Sequence, residues 1–394
     1  MANKVGSGRA DGPDAARAST EATRLALEAL KGTAPSFGLV FASPALSLSE
    51  CLRAASEVAR GAKLLGCTTA GEFTERGLIH GGVAVLLVST DSPLLARTAR
   101  DVAAAPQEAA HGLCQGFHRA AESGRQKGFV CSTTIALVDG LSGAGERFVE
   151  SIVEGTQALH QVVGGAAGDE GKFQATHVGE PERAGSDMAA AIHVFSRGPW
   201  GVGIGHGLEP TTAKMRVTRA KANVVQEIDG RPAFAVYQEH ASKRGVELSP
   251  ATAGEYLIAN ELGIIVAGKV TRARAPLSVG KDGSLTCAAE VPQGAQVAIL
   301  DGKPDAMVTA ARQAAEEALQ NLQGQSPAGV LLFDCVCRGL ILKDGFQREI
   351  DAVRGAMGGE VPVAGFLTYG EIASYSGRIE SWHNTTAVAL AIPK

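Results

Sequence analysis

Two short segments of the chain place a glutamate directly after a glycine, where an apolar run meets a turn. Glu72 lies in GCTTAGEF and Glu371 in GFLTYGEI. A carboxylate at such a junction can accept bonds from backbone N–H groups or hold the ammonium group of a ligand. Both roles stay open at this stage: each glutamate either caps its own hairpin or anchors a ligand. Thr69, in the first segment, is a further candidate for ligand contact.

Arg338 follows the strand-like run GVLLFDC and is the cation best suited to bind a carboxylate, because a guanidinium can donate two parallel hydrogen bonds. Tyr369 and Asn384 are predicted to complete the polar lining of the same site. The alternative is a structural pairing of Arg338 with Glu371. The two interpretations are compatible if a ligand displaces the partner.

Two loops after strand-like runs carry the other candidates. Asp139 follows STTIALV, at the carboxyl end of a predicted strand, where α/β sheets commonly bind ligands. The alternative is a turn in which Ser142 caps the next helix. Gly165 and Asp169 lie in GGAAGD, which lacks the residue order of a nucleotide-binding loop. Its small residues are expected either to let the backbone pack closely or to leave space for a ligand.

Histidine and cysteine give weaker signals. A haem iron needs an imidazole in an apolar pocket. The candidates are His160, at the end of a predicted helix, and His193, on an apolar strand, and neither has a c-type attachment motif beside it. The seven cysteines form no CxxC pair, which favours reduced thiols over disulfides or a zinc site. Cys67 has no histidine fixed beside it by sequence. An enzyme that uses Cys67 or the Glu72 and Glu371 pair is therefore kept only as an alternative.

Strand-length apolar runs alternate with amphipathic stretches along the chain, which predicts an α/β fold of two related layered domains with mixed, partly antiparallel sheets. The relationship rests on the two glutamate segments. They align at a spacing of 299 residues (66 to 365), and each is followed by a long apolar strand. The predicted divisions are a leader and first helix over 1–35, an N-terminal domain over 36–225 and a C-terminal domain over 226–394.

Two segments carry further structural predictions. The first ~15 residues are expected to be a flexible leader, because they lack an apolar run. Glycines alternate along a predicted strand at Gly201, Gly203, Gly205 and Gly207, so one face of it has no side chains. That face is expected to contact either a neighbouring backbone layer or a ligand.

Composition excludes several classes of protein. With 45% hydrophobic and 20% charged residues over 394 positions, the chain is too apolar to be intrinsically disordered. A net charge of −4 without a Lys/Arg cluster argues against a nucleic-acid partner. No apolar run reaches the roughly 18 residues of a membrane span, and no secretory signal is present. A cytoplasmic protein without membrane insertion is expected.

Several separated motifs in one order resemble the FIST family, named for F-box and intracellular signal transduction proteins. The N-terminal half is similar through GCTTAGEF, ALVDGLSGAGERFV, VVGGAAGDEGKFQATHV and GVGIGHG, and the C-terminal half through DGRPAFAVY, FDCVCRG, VPVAGFLTYGEIASY and WHNTT. The resemblance implies a sensory module that binds a small, amino-acid-like ligand, and some bacterial members are haem-binding nitric oxide sensors. It also implies a separate signalling partner, such as a kinase or cyclase.

Overall fold

The computed structural model describes residues 2–157, 160–375 and 381–394. Three of its sheets are built by repeats with the same connectivity, and a fourth sheet belongs to a subdomain inserted in the third repeat. In each repeat an N-terminal strand pairs with the last strand, which pairs in turn with a central strand, and a helix leads from the first strand to the central one. A second crossover then places the next strand parallel to the central strand.

The first repeat shows how local sequence fixes these elements. Asp14 caps its first helix by accepting the N–H of Arg17 at 2.9 Å, and Ser47 caps the second in the same way with Glu50. The elements are β1 (Lys4–Asp11), α1 (Ala15–Ala29), β2 (Phe37–Ala42), α2 (Leu48–Val58), β3 (Lys63–Thr68), β4 (Glu72–Thr74), β5 (Gly77–Ile79) and β6 (Gly82–Ser89).

The second repeat follows without a break and splits its first crossover into two helices. Its elements are β7 (Leu94–Arg100), α3 (Pro106–Cys114), α4 (Phe117–Arg125), β8 (Cys131–Val138), α5 (Gly145–Gly155), β9 (Gln161–Ala166), β10 (Val178–Glu180), β11 (Arg183–Gly185) and β12 (Met188–Ser196).

The third repeat begins with β13 (Gly201–Gly205) and is then interrupted by the inserted subdomain. The subdomain comprises β14 (Leu208–Pro210), β15 (Met215–Lys221), β16 (Val224–Ile228), β17 (Arg231–Pro232), α6 (Ala233–Ser242), α7 (Ala253–Ala259), β18 (Leu262–Val266), β19 (Lys269–Arg274), β20 (Pro276–Val279), β21 (Leu285–Cys287) and β22 (Gln296–Gly302). The repeat resumes with α8 (Pro304–Asn321), β23 (Pro327–Cys335), α9 (Val336–Leu342), a 3-10 turn (Lys343–Gly345), α10 (Gln347–Ala356), β24 (Val363–Thr368), β25 (Glu371–Ser374), β26 (Trp382–His383) and β27 (Ala387–Pro393).

Each repeat donates a short hairpin to the sheet of another repeat. The sheet orders are β1-β6-β2-β3-β10-β11, β7-β12-β8-β9-β25-β26 and β13-β27-β23-β24-β4-β5. The first repeat therefore extends the third sheet, the second extends the first sheet, and the third extends the second sheet. This cyclic exchange gives the three repeats a pseudo-threefold relationship.

A ring of backbone hydrogen bonds joins the three exchange points. The N–H groups of residues 70, 168 and 369 donate to the carbonyls of residues 367, 68 and 166 at 2.9, 3.0 and 3.2 Å. The donors are spaced 98 (70 to 168) and 299 (70 to 369) residues apart, and the acceptors are spaced in the same way. The 299-residue spacing found in the sequence is thus one side of a threefold pattern.

The inner faces of the three sheets share one hydrophobic core, in which Phe41 and Phe333 contact Phe366 with ring centroids at 4.8 and 5.8 Å. Helices cover the outer faces. The alternating glycines of β13 face α8, where a Cβ at Gly203 would lie 1.9 Å from the carbonyl oxygen of Ala314. The prediction of a neighbouring backbone layer is confirmed.

The α/β class with mixed, partly antiparallel sheets is confirmed. The flexible leader was wrong, because β1 pairs with β6 over eight residues and carries part of the core, including Val5. The strand was missed because its alternating small residues do not give the apolar pattern of a strand. In the structure these small residues let β1 pack closely on α1. The predicted divisions at residues 36, 225 and 226 stay predictions. None of the described helices is long and apolar enough to cross a membrane.

Candidate functional site

Glu72 and Glu371 occupy equivalent positions at the start of β4 and β25, and both are fully buried. Glu72 accepts hydrogen bonds from the Thr69 hydroxyl at 2.6 Å and from the N–H of Gly82 at 2.8 Å. Glu371 accepts them from the Thr368 hydroxyl and from the N–H of Thr386. Each carboxyl group therefore joins its own turn to the start of the next long strand, which is the capping interpretation.

Burial shifts both of these carboxyl groups toward the protonated form. The pKa of Glu72 rises to about 8, chiefly because burial disfavours the charged form. The pKa of Glu371 is also raised well above its usual value, by burial first and then by the neighbouring Cys335. Protonation lets each group stay in the core without an ion pair.

Arg338 does not pair with Glu371, so that alternative was wrong. Its guanidinium has no exposed surface and donates a hydrogen bond to Glu349 at 2.9 Å. It also forms an ion pair with Asp334, whose nearest carboxylate oxygen lies 3.0 Å from Nε. Its other nitrogens donate to the carbonyl oxygens of His206 and Met307 at 2.8 and 2.9 Å. The geometry differs from the prediction because α9 turns the side chain away from the exchange points, toward α8 and α10.

Asp139 and Asp169 both organise loops of the second repeat. Asp139 accepts the N–H of Leu141 at 2.8 Å, the hydroxyl of Thr176 and the N–H of Asp187, just before β12. It thus joins a turn to the last strand, as Glu72 and Glu371 do in the other repeats. The helix after this turn has Ala144 rather than Ser142 at its N-cap position.

Asp169 accepts three backbone N–H groups of its own loop, from residues 173, 174 and 175, at 2.6 to 3.0 Å. Although burial alone would raise its pKa, these bonds and the Tyr369 hydroxyl lower it. Gly165 allows close packing, since a Cβ there would lie 2.6 Å from the Thr368 methyl carbon. The loop around both residues is therefore held by the protein itself.

Tyr369 breaks the pseudo-threefold pattern. The other two repeats have Ala70 and Gly168 at the equivalent ring positions. The Tyr369 hydroxyl accepts the N–H of Gly171 at 2.8 Å, and its ring stacks on Phe173 with centroids 4.9 Å apart. Its large side chain forms a wall between the core and the inserted subdomain.

Two adjoining cavities lie along this wall, and together they are called the cleft. The polar lobe has a volume of about 420 Å³ and the apolar lobe about 210 Å³. Both lobes contact the same four residues, which are Gly140, Gly143, Ala288 and Tyr369. The repeats supply one side of the cleft, and residues 222–292 of the inserted subdomain supply the other.

The apolar lobe contains an unsatisfied buried acceptor. Asn384 is 2% exposed, and its Oδ1 has no hydrogen-bond partner among the described residues. An unmade hydrogen bond of this kind costs about 1–3 kcal/mol. Cys335 and Cys337 also line this lobe, and the exposed residues Leu141, Phe173 and Leu277 surround it.

The polar lobe is lined by an ion-pair network between a repeat and the subdomain. Glu146 Oε1 accepts from Arg272 at 3.1 Å and from the buried Arg274 at 3.2 Å. Its second oxygen, Oε2, is buried without a partner among the described residues. Burial and the nearby charge of Glu146 raise the pKa of Glu150 in the same lobe.

A strained turn supports Asn384. The next residue, Thr385, has a φ of 52°, which is unusual for a β-branched side chain. Its hydroxyl donates to the buried Glu261 of the subdomain, and the pKa of Glu261 is raised by burial to about 8. The polar contact across the interface holds this conformation and fixes the position of Asn384.

Of the predicted site residues, the structure brings Asp139, Tyr369 and Asn384 to the cleft. Thr69, Glu72, Gly165, Arg338 and Glu371 are buried and serve the packing and hydrogen bonds of the core. Sequence reasoning missed Glu146, Cys335, Cys337, Arg272 and Trp382. Most of these lie inside motifs that were recognised, but only the packing of the subdomain gives them a shared cavity.

His193, His160 and His80 do not suit a haem. Both ring nitrogens of His193 are bonded, to the Thr134 hydroxyl at 2.8 Å and the Leu113 carbonyl at 3.0 Å. His160 is half-buried against Phe117. His80 lines a cavity of about 670 Å³, but Arg9, Arg76 and Lys343 line it too, so this cavity is not the apolar pocket that haem requires. Haem binding stays a prediction that these residues do not support.

Cys67 is fully buried, and burial raises its pKa well above the usual value, which disfavours the nucleophilic thiolate. Among the residues that the structure describes, no group of three or more His, Cys, Asp or Glu side chains has the arrangement of a metal site. The enzyme alternative therefore gains no support from the geometry around Cys67.

Comparisons with known proteins agree with the order of the motifs. A model of the FIST N domain matches residues 36–231, and a model of the FIST C domain matches residues 233–374. The "Uncharacterized protein MJ1623" of Methanocaldococcus jannaschii is 35% identical over 94 residues, which are 23% of this chain and 18% of that protein. This second similarity concerns one segment of each chain.

Proposed function

Because the chain belongs to the FIST family, whose domains are proposed sensory signalling modules, we propose that it is a sensory module that binds a small ligand in the cleft. The observation that carries the proposal is the unpartnered Oδ1 of the buried Asn384, which lines a cavity between the inserted subdomain and the repeats. A concave apolar site with a few convergent polar groups is the usual form of a ligand pocket.

The position of the cleft suggests how binding becomes a signal. The subdomain leaves the third repeat after β13 and returns before α8, so two adjacent connections join it to the repeats. Across the cleft it is held by the pairs of Glu146 with Arg272 and Arg274. A ligand that contacts both sides of the cleft stabilises the arrangement in which the subdomain and the repeats both touch the ligand. Binding therefore increases the population of that arrangement.

The signal would pass to a separate protein, such as a kinase or cyclase. The cleft residues fit binding rather than catalysis, because Asp139 is occupied by its own loop and Cys67 lies in the core. We therefore propose a cytoplasmic module that binds a small ligand and has no turnover of its own.

A thermal-shift screen of amino acids, amines and related metabolites tests the proposal. Ala288 lines both lobes, so Ala288→Phe should fill the cleft and abolish the response of any compound that raises the melting temperature of the wild type. Val266→Phe is the matched control, since Val266 is 56% exposed and lies outside the cleft lining. A flat wild-type response across the panel, or an equal response of Ala288→Phe, would count against the proposal.

A further inference from the structure

Two residues of the cleft each have a buried acceptor atom without a hydrogen-bond partner among the described residues. Glu146, which lines the polar lobe, has Oε2, and Asn384, which lines the apolar lobe, has Oδ1. We propose that the ligand of the cleft is an apolar amine without a carboxylate, rather than a zwitterionic amino acid; this rests on the proposed function. The ammonium group binds Glu146, and the apolar body enters the smaller lobe toward Asn384.

The charges of the polar lobe favour a cation. Four carboxylates line it (Asp139, Glu146, Glu150 and Glu290) against two guanidinium groups (Arg147 and Arg272), and a third, that of the buried Arg274, bonds Glu146 from outside the lining, so negative groups still outnumber positive ones by one. Asp139 is saturated by its own loop, whereas Glu146 keeps one oxygen free. The pKa of Glu150 is raised by burial and then by Glu146, against the opposing effect of Arg272, and Glu154 and Glu290 add to the rise. An ammonium group would relieve this repulsion.

A ligand carboxylate has no equivalent partner. Arg338, the predicted partner, is fully buried and already bonded by Glu349 and two carbonyl oxygens. Arg272 is directed at Glu146, and Arg147 is exposed at the edge of the lobe. A carboxylate placed beside Glu146, Glu150 and Glu290 would face like charges and lose hydration, so the α-carboxyl group of an amino acid should weaken binding.

The apolar lobe accounts for the rest of the ligand. Its walls include Leu277 and Ala275 from the subdomain and Tyr369 and Phe173 from the repeats. A volume of about 210 Å³ accommodates a phenyl or branched alkyl group. Asn384 Oδ1 at this lobe would accept a hydrogen bond from a hydroxyl group on that body. A hydroxylated aryl-alkylamine should therefore bind more tightly than its parent.

Isothermal titration calorimetry with matched pairs tests this inference on the full chain. Phenethylamine is compared with phenylalanine, and tyramine with tyrosine. Each amine is expected to bind at least about tenfold more tightly than its amino acid, corresponding to about 1.4 kcal/mol. Tyramine should exceed phenethylamine in the wild type but not in Asn384→Leu, which lacks the acceptor.

Three substitutions of acidic residues in helix α5 identify the charge involved. Glu150→Gln removes a carboxylate that lines the polar lobe, and we expect it to weaken phenethylamine binding about threefold to tenfold. Glu154→Gln removes an exposed carboxylate of the same helix outside the lobe and should leave binding unchanged. Glu146→Gln should weaken binding further, although it also weakens the link to Arg272 and Arg274.

The outcomes separate the two levels of the argument. If the amino acids bind as tightly as the amines or more tightly, and Ala288→Phe abolishes that binding, the amine inference is overturned while the sensory cleft stands. If neither class binds, while other metabolites bind in a manner sensitive to Ala288→Phe, the ligand class is again overturned. If nothing binds in the cleft, the proposed function fails and the inference fails with it.

Discussion

Replacing Glu72 by glutamine should make the protein less sensitive to rising pH. Glu72 is fully buried, and its pKa is raised to about 8, first by burial and against the opposing effect of its bonds from Thr69 and Gly82. In the unfolded chain the same carboxyl group titrates near 4.5. The folded state therefore holds a proton that the unfolded state releases between these two pH values, and stability falls as pH rises through this window.

The size of the effect follows from the shift. One pH unit corresponds to about 1.4 kcal/mol, so a rise from 4.5 to about 8 amounts to roughly 5 kcal/mol once the pH exceeds 8. Below pH 4.5 both states are protonated, and the group contributes no pH dependence. Glutamine is neutral at every pH, and its carbonyl can still accept the N–H of Gly82. The variant should be close to wild type at low pH and more stable above pH 8.

Urea unfolding followed by circular dichroism at pH 4 to 9 measures this difference. The free energy of unfolding of Glu72→Gln minus that of the wild type should rise through the window and level off above pH 8. Glu57→Gln, on the exposed face of α2, is the control and should give a flat difference. Parallel curves for Glu72→Gln and the wild type would contradict this prediction, because they would mean that the Glu72 carboxyl group titrates alike in the folded and unfolded states.

Two further substitutions test the buried contacts. Arg338→Met should cost about 3–5 kcal/mol in urea unfolding, because Asp334 and Glu349 lose their shared cation; Arg348→Met, on the exposed surface, is the control, and equal losses would contradict the assignment. Tyr369→Phe keeps the ring on Phe173 but loses the hydroxyl contacts with Asp169 and Gly171, so amide exchange in residues 169–177 should accelerate with about 1 kcal/mol of lost stability. Unchanged exchange in that loop would show that the hydroxyl does not hold it.

The sequence predicted the class of fold because strand-length apolar runs survive in all three repeats. It also revealed one pair of equivalent turns, since Glu72 and Glu371 share their flanking residues. The equivalent turn of the second repeat was not detected, because a different residue makes its hydrogen bonds. There Asp139, at the end of β8, joins the turn to the last strand. All three repeats therefore have a carboxyl group that joins a turn to the last strand, but only two of them use a glutamate at the equivalent position.

The site was harder to predict because burial decides which polar residues are available. Arg338 and Glu371 are both candidate anchors in the sequence, yet both are committed to the core. Arg338 donates to the carbonyl of His206, 132 residues away along the chain, and Glu371 accepts the N–H of Thr386 just before β27. Asn384 was among the predicted residues, but the structure distinguishes it by an Oδ1 without a partner among the described residues, which no sequence pattern records. Glu146 gains its role only from Arg272 and Arg274 of the inserted subdomain.

The cleft forms where the pseudo-threefold pattern is broken twice. At one ring position Tyr369 replaces the small residues Ala70 and Gly168, and between β13 and α8 the third repeat accepts a whole subdomain. The first change supplies a rigid aromatic wall, and the second supplies the opposing surface. The junction between the first and second repeats has a different contact, in which the Ser43 hydroxyl donates a hydrogen bond to the Glu170 carboxylate at 2.7 Å. A symmetric ring would make three equal contacts, so the departures from symmetry are the places where selection for a ligand is expected to act.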